Sequence, residues 1–127
     1  MLIAIAFVYA QVEIAVRSIQ FDLHLMGESV YEARTKNGRW PARTEELEGT
    51  AYLALPHRRA MLEDKVFIVV FNQELASDPK DNGHRVLAYD NRSLLSRLGR
   101  VWVCRGDLSV DYVKTEELQR LLKANKH

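Results

Sequence analysis

The side chains that could carry out chemistry are few in this chain and far apart in its sequence. There are four histidines and one cysteine, namely His24, His57, His84, His127 and Cys104. Neither the H-E-x-x-H spacing of a zinc protease nor a C-x-x-C pair occurs, and no glycine-rich loop of the kind that holds phosphates is present. The sequence therefore predicts a protein without catalytic residues, so we do not expect an enzyme or a bound cofactor.

One segment offers oxygen ligands of the kind that calcium prefers. Residues 78–83 read DPKDNG, and the side chains of Asp78, Asp81 and Asn82 could each supply an oxygen. Its proline and glycine are also the residues of an ordinary turn, and Lys80 stands where an EF-hand type of loop would place its second ligand. We predict a turn without a metal, and a calcium site in a loop of the sheet half is the alternative.

Composition and charge exclude some classes of partner. The chain has 127 residues, the size of one domain, and a net charge of +1. Without an excess of positive charge, nucleic acid is not an expected partner. One cysteine cannot form a disulfide within the chain. Because Cys104 follows the apolar residues 101–103, we expect a buried and unreactive thiol.

The clearest pattern is helical and runs through residues 2–36. Apolar or small residues recur at steps of three and four, which marks one face of a long α-helix. The members of this stripe are Leu2, Ile5, Tyr9, Val12, Val16, Ile19, Leu23, Met26, Val30 and Ala33. The opposite face carries charged residues only from Glu13 onward, and Asp22 is among them. We expect the stripe as far as Val16 to contact lipid or other subunits, and its continuation from Ile19 to Met26 to pack on the sheet.

The helix begins with nine uncharged, mostly apolar residues, 2–10. This run is shorter than the roughly 20 residues that a helix needs to span a bilayer, and it lacks the basic region of a signal peptide. It is either a buried helix segment of a complete protein or the end of a longer apolar segment that lies upstream. Glu13 could set the register between packed helices through a charged or hydrogen-bonding partner, and an exposed position on a soluble helix is the alternative.

A connector is expected at residues 37–64. The Asn37-Gly38 pair followed by Pro41 is typical of a helix end. Thr44 is expected to cap a short helical turn, and the segment after Pro56 is expected to form either a loop or one more short helix.

An antiparallel sheet is expected at residues 65–113, and a C-terminal helix capped by Thr115 at residues 114–124. The apolar runs and turn residues place strands at 65–71, 85–89, 100–104 and 108–113, with a connection at 90–99 and a tight turn at 105–107. The order of elements predicts one α+β domain, in which a long N-terminal spine helix packs on a roughly four-stranded antiparallel sheet.

Three passages of this sequence resemble the pilin-like family, which includes type IV pilins, the pseudopilins of type II secretion and related prepilin-like surface proteins. The first is the helix itself, with its apolar beginning and amphipathic continuation. The second is residues 31–41 (YEARTKNGRWP) followed by residues 44–47 (TEEL), which is similar to the passage after the spine helix of many pseudopilins. The third is residues 85–89 (RVLAY) with residues 99–110 (GRVWVCRGDLSV), which looks like a prepilin-like C-terminal hairpin.

The resemblance implies a structural subunit or minor component of a pilin-like or type II secretion-like assembly, which acts by helix packing. It implies other pilin-like subunits or secretion-system proteins as partners, and methylation of the subunit. It also implies association with the inner membrane through the N-terminal helix, with the globular part periplasmic or extracellular. The alternative is a soluble, stand-alone protein-binding module with a pilin-like fold that does not polymerise.

Overall fold

The computed structural model describes residues 2–91 and 99–125, and its elements follow the predicted order. The helices are α1 (Leu2–Asn37), α2 (Pro56–Glu63) and α3 (Thr115–Asn125), and the strands are β1 (Phe67–Val69), β2 (Val86–Asp90), β3 (Arg100–Arg105) and β4 (Val110–Lys114). Short 3₁₀ turns lie at Thr44–Leu47, Tyr52–Ala54 and Pro79–Asn82. The expected α+β arrangement is therefore confirmed. Most of the predicted connection 90–99 lies outside the described residues.

The strands β1 to β4 form one antiparallel sheet whose spatial order is the chain order. Ile68 lies opposite Tyr89 and Tyr89 opposite Val103, and Val103 in turn lies opposite Asp111. The pairing of β2 with β3 shifts between Val86 and Ala88. Neighbours in sequence are thus neighbours in the sheet, as short connections favour.

The helices α1 and α3 cover opposite faces of the sheet. Because side chains alternate along a strand, each strand supplies one set to each face. The main core lies under α1 and includes Leu23, Met26, Phe67, Leu87 and Cys104. The second core lies under α3 and comprises Val86, Val101, Val103, Leu118 and Leu121. The sheet therefore contributes side chains to two cores, one on each face.

Two strands differ from their predicted bounds. The strand predicted at 65–71 is only Phe67–Val69, because Lys65 and Asn72 have positive φ angles of 58° and 62° that interrupt the extended backbone. The strand predicted at 108–113 begins at Val110. Leu108 belongs instead to the hairpin loop, where it has a φ of 71° and its N–H donates to the Arg105 carbonyl (2.9 Å).

The predicted ends of the helices are partly right. α1 ends as expected, because the N–H of Gly38 donates to the Arg34 carbonyl (3.0 Å). The two predicted threonine caps are wrong. Thr44 is the first residue of its 3₁₀ turn, and Arg43 before it forms no side-chain cap. Thr115 is the first residue of α3, and its buried hydroxyl has no hydrogen-bond partner among residues 2–91 and 99–125.

Glu46, rather than Thr44, holds the start of this turn in place. Its carboxylate accepts a hydrogen bond from the Ala42 N–H and pairs with Arg39 (2.8 Å). The Ala42 hydrogen bond, together with the positive charge of Arg39, lowers the pKa of this carboxyl group. The connector is therefore ordered by a side chain inside the turn that reaches back to its start.

Candidate functional site

The first half of α1 is left uncovered by the part of the chain that the structure describes. All of residues 2–18 are exposed except Val16, which is half-buried, and we call this segment the arm. It exposes eight large hydrophobic side chains: Leu2, Ile3, Ile5, Phe7, Val8, Tyr9, Val12 and Ile14. Seventeen helical residues extend about 25 Å. The stripe residues that were expected to serve assembly, Leu2 to Val16, all lie on this segment.

The arm is apolar on every side at its beginning. Successive residues of an α-helix are about 100° apart, so Ile5 and Val12 point in a direction nearly opposite to that of Phe7 and Ile14. All four side chains are more than half exposed. A helix that is hydrophobic all round is typical of a segment that is buried on all sides. A single docking seam would leave one of the two sides in water.

The charged residues of the arm neutralise each other. Glu13 and Arg17 are the only charged residues in positions 2–19. The guanidinium Nη2 of Arg17 donates to Glu13 Oε1 at 2.7 Å, one helical turn away. In water such a pair contributes only about 0.3–0.5 kcal/mol. In an apolar environment it matters more, because it spares the segment an unpaired charge.

The apolar segment is longer than the sequence pattern indicated. The mostly apolar run of residues 2–10 ends before Gln11, but α1 contains a segment of 18 residues that is long and apolar enough to cross a membrane by length and composition. Eighteen helical residues extend about 27 Å, close to the roughly 30 Å of a hydrocarbon core. The expectation that the apolar part of the helix is too short to span is therefore corrected. Such a window is also found in signal sequences and in core helices, although almost none of this one is buried.

After residue 18, the same helical stripe continues into the domain core. Ile19, Leu23 and Met26 are buried in the main core, and Val30 and Ala33 continue it. One side of α1 is therefore apolar along the whole helix. It is exposed in the first half of the helix and buried in the domain core in the second half.

The interpretation of Asp22 as a residue of the polar face is wrong. Asp22 is buried and lies 3.6 Å from Arg58 Nη2, whose side chain is also nearly buried. The Arg58 guanidinium stacks over the ring of Tyr52 at 5.3 Å. Burial, together with the nearby charge of Asp22, raises the pKa of Tyr52 to about 12. Asp22 lies three residues after Ile19 and four before Met26, so its spacing already placed it at a buried position.

Two of the three residues considered for calcium, Asn82 and Asp78, have other partners. The Asn82 side-chain amide nitrogen donates to the Tyr31 hydroxyl (2.7 Å) and to the Ala76 carbonyl (2.9 Å), while its oxygen accepts from the Ala76 N–H (2.9 Å). Asp78 Oδ1 accepts from the Lys80 N–H (3.1 Å), which starts the turn. In residues 2–91 and 99–125, no group of three or more His, Cys, Asp or Glu side chains converges.

Asn82 is part of a network that joins three elements. The Tyr31 hydroxyl on α1 accepts from Asn82 and donates to the Gly106 carbonyl in the β3–β4 hairpin (2.5 Å). A Cβ on Gly106 would overlap the backbone of Asn82, so only glycine allows this close approach. Asn82, which was predicted in a turn or calcium loop, and Gly106, which was predicted in the hairpin turn, therefore fasten the hairpin to α1.

The remaining candidates for chemistry have structural surroundings. Cys104 is fully buried, and burial raises the pKa of its thiol to about 12, so it is unreactive as expected. His24 Nε2 lies 2.6 Å from Glu28 Oε1, and His24 Nδ1 lies 3.0 Å from the Leu108 carbonyl. His127 lies outside the described residues.

The comparisons with known proteins add no identification. No protein-family model, no curated protein and no solved structure matches this chain. The fold defines an α+β protein with a long N-terminal helix on a four-stranded antiparallel sheet. The pilin-like resemblance stays a prediction.

Proposed function

We propose that this chain is a structural subunit of the pilin-like kind, or a minor component of such an assembly, held by its arm and without catalytic activity. The observation that carries this proposal is the arm itself, apolar on all sides and exposed, on a helix whose second half is packed on the sheet. In this proposal the arm lies in a membrane before assembly and among the arms of other subunits after it. The globular part faces the periplasm or the outside.

The energetics favour burial of the arm. Removing a large aliphatic or aromatic side chain from water contributes about 1.5–3 kcal/mol, and eight such side chains are exposed on the arm. Folding stability is only about 5–15 kcal/mol for a domain. The free energy available from burying the arm is therefore comparable with that of the whole fold, which supports a partner that surrounds it.

Membrane association can be tested by flotation of the full chain with phosphatidylcholine vesicles. We expect the native chain to float, and the double variant Ile5→Glu, Val8→Glu to stay with the soluble fraction, because each charge inside a bilayer costs up to about 2.5–3.5 kcal/mol. Gln119→Glu, a charge added on the exposed surface of α3, is the matched control and should float. If the double variant floats as well as the native chain, the arm does not hold the protein in the membrane.

Assembly is tested by cross-linking in native membranes. A cysteine that replaces Tyr9 would lie on the exposed stripe, while the native Cys104 is buried. Oxidation joins two chains at most through one cysteine, and the arm carries no lysine. The cysteine is therefore labelled with a photoreactive benzophenone, which reacts with the C–H bonds of a neighbouring arm. A ladder above the dimer, lost in the Ile5→Glu, Val8→Glu background, is expected for a subunit of an assembly. If only monomers are recovered after cross-linking, the protein is anchored in the membrane but does not assemble.

A cleft beside α1 favours a second candidate, the stand-alone protein-binding module. It has a volume of about 580 Å³ and is lined in part by Tyr31, Arg34, Trp40 and Pro79. Tyr31 and Trp40 meet edge to face with ring centroids 5.5 Å apart, and the Arg34 guanidinium stacks over Trp40. Aromatic and arginine side chains dominate many protein interfaces. A chain that stays monomeric in the cross-linking experiment, yet captures a partner that Trp40→Ala releases, would support this candidate.

A further inference from the structure

Beyond the arm, the described residues expose two large hydrophobic side chains. These are Phe21, which is 60% exposed, and Leu55, which is 45% exposed. They belong to different elements, since Phe21 lies on α1 and Leu55 immediately precedes α2. Both are neighbours of Arg58. Its guanidinium lies 6.0 Å from the centre of the Phe21 ring, and its backbone N–H donates to the Leu55 carbonyl (3.1 Å) at the start of α2.

This pair, which we call the collar, begins where the arm ends. Phe21 is three residues beyond the last arm residue, a rise of about 4.5 Å along the helix. It therefore continues the exposed apolar surface of the arm. Arg58 connects Phe21 with the domain, since its guanidinium also lies 5.3 Å from the centre of the Tyr52 ring and pairs with the buried Asp22. Leu55 adds an exposed apolar side chain at the start of α2, the helix that carries Arg58.

The charges around the collar are paired. Arg58 pairs with Asp22, and Arg59 of the same helix pairs with Glu48. Charged groups cannot follow the arm into hydrocarbon, but they are suited to the level of lipid headgroups, where aromatic side chains are also enriched. Because each arginine has an acidic partner, attraction to anionic lipid would contribute little.

We propose that the collar is a lipid-contacting surface: Phe21 and Leu55 enter the boundary between headgroups and acyl chains of the membrane that holds the arm. This inference rests on the proposed function, because it needs the arm in lipid. It adds that the globular part rests on the membrane surface by its α2 side, and that a zwitterionic phospholipid is sufficient. A partner protein on the collar would be the alternative occupant.

Depth measurements on spin-labelled full chain test the collar. Single cysteines at Val8, Leu55 and Arg43 carry a nitroxide, while the buried Cys104 stays unlabelled. Val8 reports the arm, and the exposed Arg43 lies on the connector beyond the opposite end of the packed half of α1. Each label is exposed in phosphatidylcholine vesicles to oxygen, which concentrates in lipid, and to a nickel chelate, which stays in water. We expect the label at residue 8 in hydrocarbon, the label at residue 55 at the interface and the label at residue 43 in water.

The outcomes separate this inference from the proposed function. If residue 55 is as open to the nickel chelate as residue 43 while residue 8 is in lipid, the collar proposal fails and the anchoring arm stands. If residue 8 is also in water, both fail. A label at residue 55 that neither reagent reaches, on a chain whose arm is in lipid, would indicate a protein contact and would also overturn the collar.

A partition measurement provides a second readout. The double variant Phe21→Ser, Leu55→Ser should partition about tenfold more weakly into phosphatidylcholine vesicles, because two apolar side chains no longer enter the interface. The control Ala51→Ser, Ala54→Ser changes two exposed residues of the neighbouring turn and should partition like the native chain. Partitioning by the collar variant that equals the native value would overturn the proposal. Circular dichroism confirms that each variant is folded.

Discussion

A single missing methyl group allows α1 to lie against β3. A Cβ on Gly27 would lie 2.7 Å from the Cys104 sulfur and 3.0 Å from a Leu108 methyl group. Glycine in the middle of a helix costs about 1 kcal/mol relative to alanine, so helix propensity alone favours alanine here. The close approach of helix and sheet outweighs that preference.

Gly27→Ala should therefore destabilise the protein by about 1–3 kcal/mol in spite of its better helix propensity. Urea unfolding followed by circular dichroism measures the change. The same substitution in a Cys104→Ala background should cost less, because the sulfur that it meets is gone. If Gly27→Ala stabilises the native chain, the helix lies farther from β3 than described.

The Tyr31 hydroxyl is a second residue-scale contact that connects distant parts of the chain. It receives a hydrogen bond from Asn82 and donates one to Gly106. We expect Tyr31→Phe to lower the free energy of unfolding by about 1–3 kcal/mol, since two polar groups lose a partner. Tyr112→Phe is the matched control, because Tyr112 acts by stacking on Trp102. Equal stability of the two variants would contradict this role of the hydroxyl.

The buried thiol of Cys104 and the buried hydroxyl of Tyr52 predict a loss of stability at alkaline pH. Burial raises the pKa of the Cys104 thiol from 9.0 to about 12, and that of the Tyr52 hydroxyl from 10.0 to about 12. The unfolded chain ionises at the ordinary values and so releases these protons first. The contribution of these two groups to the free energy of unfolding is fully present below about pH 9 and is lost as the pH rises toward 12.

We expect the free energy of unfolding to decline between about pH 9 and pH 12. Cys104→Ala should make the decline shallower, because only Tyr52 of the two then contributes. Urea titrations at several pH values provide the measurement. A native profile that stays flat across this interval would show that neither group is buried in its neutral form.

At the scale of elements, α3 covers the second core. Leu118 and Leu121 are the buried residues of α3, and they cover Val86, Val101 and Val103 on the sheet. Leu121→Ala should cost about 2–5 kcal/mol, because it leaves a cavity over the middle of the sheet. Gln119→Ala, on the exposed side of the same helix, should change stability by less than about 0.5 kcal/mol. Thermal unfolding compares the two, and similar melting temperatures would mean that α3 is not docked there.

At the scale of the whole molecule, the Glu13–Arg17 pair should decide how readily the arm enters lipid. Arg17→Leu leaves Glu13 unpaired in an apolar segment, which costs about 2.5–3.5 kcal/mol if the carboxylate stays charged. Glu13→Leu combined with Arg17→Leu removes both charges and should restore or increase insertion. Flotation of the three proteins with vesicles forms a double-mutant comparison. Equal flotation of the single and double variants would place the pair outside the lipid.

The order of elements could be predicted from the sequence because it depends on local patterns. The three- and four-residue spacing of apolar residues marked α1, and alternating or continuous apolar runs marked the strands. The buried half of the helical stripe, from Ile19 to Met26, was visible for the same reason. Strand ends were less accurate, because the positive φ angles at Lys65, Asn72 and Leu108 are imposed by packing and leave no glycine in the sequence as a signal.

Only the tertiary structure decided which polar residues connect distant segments and which apolar residues remain uncovered. Asp22 with Arg58, and Tyr31 with Asn82 and Gly106, are partners far apart in the chain, and no local pattern pairs them. The sequence by itself determined an apolar helix start, since hydrophobic periodicity is a property of neighbouring residues. That this start remains exposed, and that Phe21 and Leu55 remain exposed as well, depends on which residues the rest of the domain covers.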